Sequence, residues 1–473
     1  MSKNNYVTLP PDKDAKFFFL FTCDKSFYKT FFPLLFVVVL QQLAALTVNL
    51  ADNLMLGSYT ELALSGATLV NQIQFTLQQI ASGIGMGIMV LASQYWGQGR
   101  IEPIKKIINI GVKFGLLMGI LFFLAAQLFP LEILSIFTND QEVIAEGARY
   151  LRVISWTYII FSLSNSLMYS LQSVETAMVG TLMSLSTICI NICLNYCLIY
   201  GHLGAPELGI VGAAAATLVS RCVELLIIIF YVLFLDKKLH MTLSDLLPFD
   251  KSYLSDYIHV ATPVVLTGAL WGVAQAAQTA ILGHISATVI AANSIASIIF
   301  QIFAVVGSSS ANVASVTMGK TIGERKLDKI RSYAKTMQGI FLLVGITFGG
   351  LMFLLKDFII GFYAVSDETK HLASLFLGIL SLATLGSCYE YPVEAGIIAG
   401  GGSTKYAALM DNLFMWLFTI PCAYASNFVF HWSPIVTFSI LKADQILKCI
   451  PNGIVCNRYR WVKILTSSKE KSS

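Results

Sequence analysis

Long apolar runs separated by short polar ones recur along the whole chain. A helix needs about 20 mainly apolar residues to cross the hydrocarbon core of a bilayer. Stretches of that kind fall at 30–53, 63–91, 107–129, 151–171, 177–200, 209–235, 257–282, 288–316, 337–355, 373–398, 405–428 and 434–451. The last is the weakest, because Lys442, Asp444 and Lys448 interrupt it. The pattern predicts an all-α integral membrane protein of about 12 transmembrane helices.

The polar positions divide that series. The longest polar stretch between spans is Asp236–Asp256, with Lys237, Lys238, His240 and Lys251, and it leaves six spans on either side. The expected organisation is an N-terminal segment (1–29), an N-terminal six-helix lobe (30–235), a linker (236–256), a C-terminal six-helix lobe (257–452) and a tail (453–473). The halves also repeat each other. Phe32-Pro33, Leu56-Gly57 and Ser93 to Arg100 in the first half match Thr262-Pro263, Leu282-Gly283 and Met318 to Arg325 in the second, in the same order. Two six-span halves in one orientation make a parallel internal repeat, an arrangement found in transporters that alternate access.

Composition narrows the class. Only 12% of the residues are charged and 56% are hydrophobic, against about 25% charged in a soluble chain. A net charge of +4 gives no reason to expect a nucleic-acid partner. The placement of Lys and Arg matters more than their sum. They gather before the first span, in alternate loops (Arg100, Lys105, Lys106; Lys320 to Lys335) and beyond Pro451. Since such residues mark cytoplasmic loops, both termini are expected in the cytoplasm and the protein in a plasma membrane, as a multi-pass monomer in contact with lipid. No cleavage site follows a short apolar core near the start, so a removed signal peptide is not expected. Cys189, Cys193 and Cys197 lie four apart without the His partners or paired loops of a zinc site, and read as small packing residues in a helix interface. The six histidines are scattered singly and no nucleotide-binding loop is present, so neither an enzyme nor an ATP-driven pump is expected.

Several strings resemble the multidrug and toxic compound extrusion (MATE) family, in its bacterial multidrug branch. They are Asn49-Leu50-Ala51-Asp52-Asn53-Leu54-Met55-Leu56-Gly57, Ser93 to Arg100, Asn191 to Gly201 running into Leu208 to Ala214, Gly396 to Lys405, and Arg460-Trp461-Val462-Lys463. The resemblance runs from about residue 30 to 465. It implies a two-lobed antiporter that exports drugs or organic cations in exchange for H+ or Na+, with no cofactor and no metal other than Na+ as a coupling ion. It maps the cation-responsive acid onto Asp52 and a polar pair of the fifth helix onto Asn191 and Asn195. Some relatives carry an aspartate where Asn195 stands, and many place an acid in the seventh helix, whereas this chain has no Asp or Glu between Asp256 and Glu324. The N-terminal lobe is therefore expected to couple transport to the ion.

An ionised side chain at membrane depth is costly, so each needs a partner or a function. Glu390 and Glu394 stand one turn apart around Pro392, where a kink would free a carbonyl beside them. Asn71, Gln74 and Gln78 form an amide stripe on the second span. Gln74, Gln78, Glu390 and Glu394 are thus candidates for a substrate cavity or a second cation site. Arg221 and Glu224, three apart on the sixth span, read as a mutually neutralising pair. A flippase for a lipid-linked precursor is the alternative function, but it calls for a strongly cationic cavity, and intramembrane Lys and Arg are few.

Overall fold

The computed structural model describes residues 21–246, 250–363 and 365–466. Seventeen α-helices follow one another: α1 (Lys25–Tyr59), α2 (Glu61–Gly97), α3 (Ile101–Leu128), α4 (Pro130–Ser135), α5 (Gln141–Ile154), α6 (Trp156–Ser173), α7 (Met178–Tyr200), α8 (Ile210–Phe230), α9 (Leu243–Leu246), α10 (Leu254–Gly283), α11 (Ala287–Gly323), α12 (Leu327–Ile360), α13 (Asp367–Tyr391), α14 (Thr404–Leu413), α15 (Ile420–Tyr424), α16 (Pro434–Leu447) and α17 (Cys449–Arg458). Turns of π-helix extend α8 through Tyr231–Leu235 and α13 through Pro392–Ile398, and flank α15 at Phe414–Thr419 and Ala425–Val429. Ten of the described helices are long and apolar enough to cross a membrane. The other two expected spans are each broken in two, α5–α6 at Ser155 and α16–α17 at Lys448. Large apolar side chains such as Leu54, Leu226, Leu354 and Leu417 are strongly exposed on the helices, as a surface that meets lipid requires.

Local chemistry ends the helices where the sequence turns polar. Asp140 caps α5 by accepting from the backbone N–H of Glu142 at 3.0 Å, and Ser286 caps α11 through Val289. Gly201 closes α7 in the left-handed region (φ 70°), where a Cβ is costly.

The chain divides into two compact units. The N-terminal unit comprises Phe36–Ala92 and Arg100–Gly268. Its core joins Leu56, Val70, Leu77, Leu151, Tyr158 and Ile210. Helix α3 lies close on α6: a Cβ at Gly119 would stand 2.8 Å from the Tyr158 carbonyl oxygen, so only glycine permits this approach. The stretch that reads as a linker belongs to this unit because it is tied to the start of α3. Asn109 donates to the Asp245 carbonyl (2.6 Å), Lys105 pairs with Asp245 (3.1 Å) and Lys106 with Asp250 (2.9 Å). Bonds from Ser252 and Lys106 hold the Asp250 carboxyl down to about 2.

The C-terminal unit comprises Ala269 onward, with the chain start to Leu35 and Ser93–Gly99. Its core joins Ile281, Ile295, Phe376, Leu380, Phe438 and Leu441. Here α12 lies on α13 as α3 lies on α6: a Cβ at Gly349 would stand 2.6 Å from the Ser381 carbonyl oxygen. Ser93–Gly99 belongs here because Gly97 abuts the backbone of Lys320 and Gly323, so the two copies of the repeated motif touch. The chain end is bound in as well. Trp461 is buried against Gly401 and donates to the Cys456 carbonyl (2.7 Å). The Gln94 amide donates to the Lys463 carbonyl (3.1 Å) and accepts from Leu465 N–H (2.8 Å).

Candidate functional site

Asp52 lies two turns inside α1, which continues to Tyr59, and its carboxylate turns into the N-terminal unit. Asn195 Nδ2 donates to Asp52 Oδ1 (2.5 Å) and to Asn191 Oδ1 (3.1 Å). Asn191 Nδ2 donates to Thr217 Oγ1 (3.1 Å), and Thr217 Oγ1 donates to Asp52 Oδ2 (3.3 Å). The four side chains close a ring. Spacing makes it possible: Asn191 and Asn195 are one turn apart on α7 and share a face, while α8 presents Thr217 opposite. Both asparagines are fully buried, and Asn195 Oδ1 finds no partner among the described residues.

Beside the ring lies a small cavity lined by Asn49, Asp52, Asn53, Asn71, Gln74, Tyr150, Thr217 and Arg221, with Val48, Leu56 and Ala67. It measures about 10 Å³, room for about one water molecule. Arg221 and Glu224 form their pair at 2.6 Å. Ser164 donates to the other Glu224 oxygen (3.1 Å), and the guanidinium lies over the Phe161 ring at 5.3 Å. The pair has a second aspect that the sequence reading missed, since Arg221 also borders the Asp52 cavity. Thr217, Arg221 and Glu224 recur at helical spacing on one face of α8, a signal that was open to reading.

The amide stripe splits. Gln74 borders the cavity; Gln78 is half-buried one turn away and is not among the lining residues. The cysteine reading is corrected: Cys189 and Cys193 are exposed, on the side of α7 away from Asn191 and Asn195, so they do not pack in an interface.

Glu390 and Glu394 belong to a different cluster, in the C-terminal unit. Both are buried, as are Asp444, Lys448 and Asn452. Lys448 Nζ lies 2.7 Å from Asp411, 3.3 Å from Glu390 Oε1 and 3.8 Å from Asp444. Asn452 Nδ2 donates to Glu394 Oε2 (2.5 Å), and Tyr406 donates to Asn452 Oδ1 (3.1 Å). As the sequence implies, α13 is irregular at Pro392, where it widens into π turns. Lys448 stands at the break between α16 and α17, so the charges that weakened the last span gather at its bend. Among the described residues, no three His, Cys, Asp or Glu side chains are placed to hold a metal ion.

The chain was compared with known proteins. The family model described as MatE matches residues 33–197 and 263–425, one block in each half. "Probable multidrug resistance protein NorM" of Listeria monocytogenes is 24% identical over 405 residues, 85% of this chain and 88% of that one. "Probable multidrug resistance protein YoeA" of Bacillus subtilis is 22% identical over 399 residues, 83% and 84% of the two chains. A crystal structure of a point mutant of the Vibrio cholerae MATE transporter VcmN superposes with a TM-score of 0.83 at 16% identity, covering 92% of this chain and 97% of that one. Family model, relatives and fold agree: this chain is a member of the MatE family of multidrug transporters.

Proposed function

We propose that the protein is a secondary antiporter that exports drugs or organic cations in exchange for H+, with Asp52 as the coupling residue. The observation that carries this reading is the Asp52 ring, a single carboxylate held by neutral donors next to a cavity of about 10 Å³. A space of that size excludes a drug and admits a proton. Asp52 is the one carboxylate among the described lining residues, and the Arg221–Glu224 pair beside it is neutral as a whole, so the space offers a single exchangeable charge. Protonation of Asp52 removes its charge and adds an O–H that needs an acceptor. The unpartnered Oδ1 of Asn195 supplies one once the amide turns. The turned amide no longer donates to Asn191 Oδ1, so the ring opens between the two asparagines and α1 and α7 change their contact.

Coupling requires that ion and drug disfavour each other's binding, and a tenfold mutual effect needs about 1.4 kcal/mol. One charge moved across 100 mV gains about 2.3 kcal/mol, enough for such a step. Asn191 and Asn195 position the carboxylate, and Gln74 lines the same space. Glu390 and Glu394 form a second polar site, whose positive charge comes from Lys448 beside Glu390. The Lys and Arg distribution supports cytoplasmic termini, and the bacterial relatives support a cell-membrane location. A flippase for an anionic lipid-linked precursor fits less well, since the one cation at the cavity, Arg221, is already paired with Glu224.

The test is efflux of a fluorescent organic cation from energised vesicles, with the proton and sodium gradients collapsed separately. Collapse of the proton gradient should stop efflux in the wild type. Efflux that survives it and stops with the sodium gradient would replace H+ by Na+, and wild-type efflux by Asp52→Asn would remove Asp52 from the mechanism.

A further inference from the structure

We propose that Lys448 is a built-in counter-cation: its ammonium occupies the carboxylate cluster of the C-terminal unit, so this cluster is compensated from within and takes no ion from outside. The inference identifies the cation of the second site and rests on the reading that exchange with the outside occurs at Asp52.

Four carboxylates from four segments converge here: Glu390 on α13, Glu394 on the π turns after it, Asp411 on α14 and Asp444 on α16. Three of them reach Lys448 within 4 Å. Glu394 accepts instead from the neutral amide of Asn452, whose own oxygen accepts from Tyr406. The neighbouring Lys442 is directed elsewhere, to Gln278 Oε1 at 3.3 Å. Among the described residues Lys448 is thus the one ammonium directed into the cluster, and an ammonium has three protons to share.

Two features make this more than a buried ion pair. Glu390 is 3% exposed, yet its Oε2 has no partner among the described residues. A buried carboxylate oxygen left bare is a position where a cation would be held, and Lys448 fills that role from the Oε1 side only. Second, Glu394 and Asn452 are enclosed, 1% and 0% exposed, and of the carboxylates around Lys448 it is Asp411 that keeps an opening, with 28% of its side chain exposed. The tethered ammonium reaches the carboxylates from within, because it is carried on the bend of its own helix pair. Carboxylates left in low dielectric without their cation are strongly destabilising. If Lys448 is removed, the cluster must therefore recruit a cation from solution.

Thermal unfolding of the purified full chain in detergent tests this, in an Asp52→Asn background so that ion binding at Asp52 does not contribute. At constant ionic strength, choline chloride is exchanged for NaCl or methylammonium chloride. The Lys448 protein should melt at the same temperature in all three salts. Lys448→Ala, which leaves a space of lysine shape, should melt several degrees lower in choline and regain part of the loss in methylammonium or Na+. Lys448→Ala/Glu390→Gln should respond less than Lys448→Ala. Should Lys448→Ala fail to accumulate, Lys448→Gln/Asp411→Asn decides, because it removes the closest opposite charges together and should accumulate better than either single variant. The proposal is overturned if the Lys448 protein is itself stabilised by Na+ through Glu390. It is overturned equally if Lys448→Ala folds without any cation response, or if the double variant accumulates no better. Failure of Asp52 as coupling residue would appear in efflux and leave these melting temperatures unchanged.

Discussion

The two polar clusters solve one problem, a carboxylate placed among membrane-spanning helices, in opposite ways. In the N-terminal unit a single acid is surrounded by amides and a hydroxyl. In the C-terminal unit three acids surround one lysine, and a fourth, Glu394, accepts from Asn452 beside them. Neutral donors stabilise a negative charge only moderately, by about 1.5–3 kcal/mol each. An amide also presents an acceptor when it turns, so the same groups serve the charged and the neutral acid. An ammonium has no acceptor and stabilises only the ionised form. In the proposed mechanism the first surroundings exchange a proton and the second hold their charge where it is.

That contrast can be broken by substitution, and Asp52→Asn should have the largest effect. It fixes the neutral form while keeping shape and hydrogen-bonding capacity, so we expect normal accumulation in the membrane and loss of gradient-driven efflux to background. Wild-type efflux from this variant would place the exchangeable acid elsewhere. Next comes Thr217→Val, which removes the donor to Asp52 and the acceptor for Asn191 while conserving volume. Efflux should fall about tenfold, the equivalent of about 1.4 kcal/mol, with little change in melting temperature. A large fall in melting temperature with unchanged efflux would make the ring structural.

Glu224→Gln follows. It takes away the partner of Arg221 and leaves the guanidinium beside the Asp52 cavity, where it favours the ionised acid. Transport should drop a few-fold, and the double variant with Arg221→Gln should recover part of the loss. Absence of recovery would show that Arg221 and Asp52 do not communicate. The smallest effect is expected from Gln78→Ala, within twofold of wild type in efflux, whereas Gln74→Ala should lower it more. The reverse order would mean that the working cavity runs along the other turn of α2.

Much of this was legible in the sequence, for identifiable reasons. Apolar run length sufficed for ten spans, because membrane helices must satisfy their backbone internally and so advertise themselves by composition. It did not show the breaks at Ser155 and Lys448, which depend on tertiary contacts. Ser155, for one, accepts a hydrogen bond from Gln127 on α3 (2.9 Å). Asp52, Asn191 and Asn195 stood out through the resemblance and their spacing. Thr217 was marked only by its helical spacing from Arg221 and Glu224, since a threonine in an apolar helix ordinarily bonds its own backbone and nothing local points to a partner on α1. Lys448 was hidden differently. Its charge counted against the last span as a helix, and only the fold brings it to Glu390 and Asp411, far away in the chain. A polar residue that spoils a local pattern is, in such a protein, the one most worth following into three dimensions.

The bound chain end has a practical corollary for anyone who handles the protein. Trp461 and the backbone of Lys463 and Leu465 are held by side chains and backbone far back in the chain, Gln94 and Gly401. The tail is thus a clasp whose two parts are made at opposite ends of synthesis. Affinity tags placed after residue 466 should leave the clasp shut, whereas trimming back to Arg458 should open it. The trimmed chain would still contain every described helix, yet it should be markedly more sensitive to protease at the junction that follows α2.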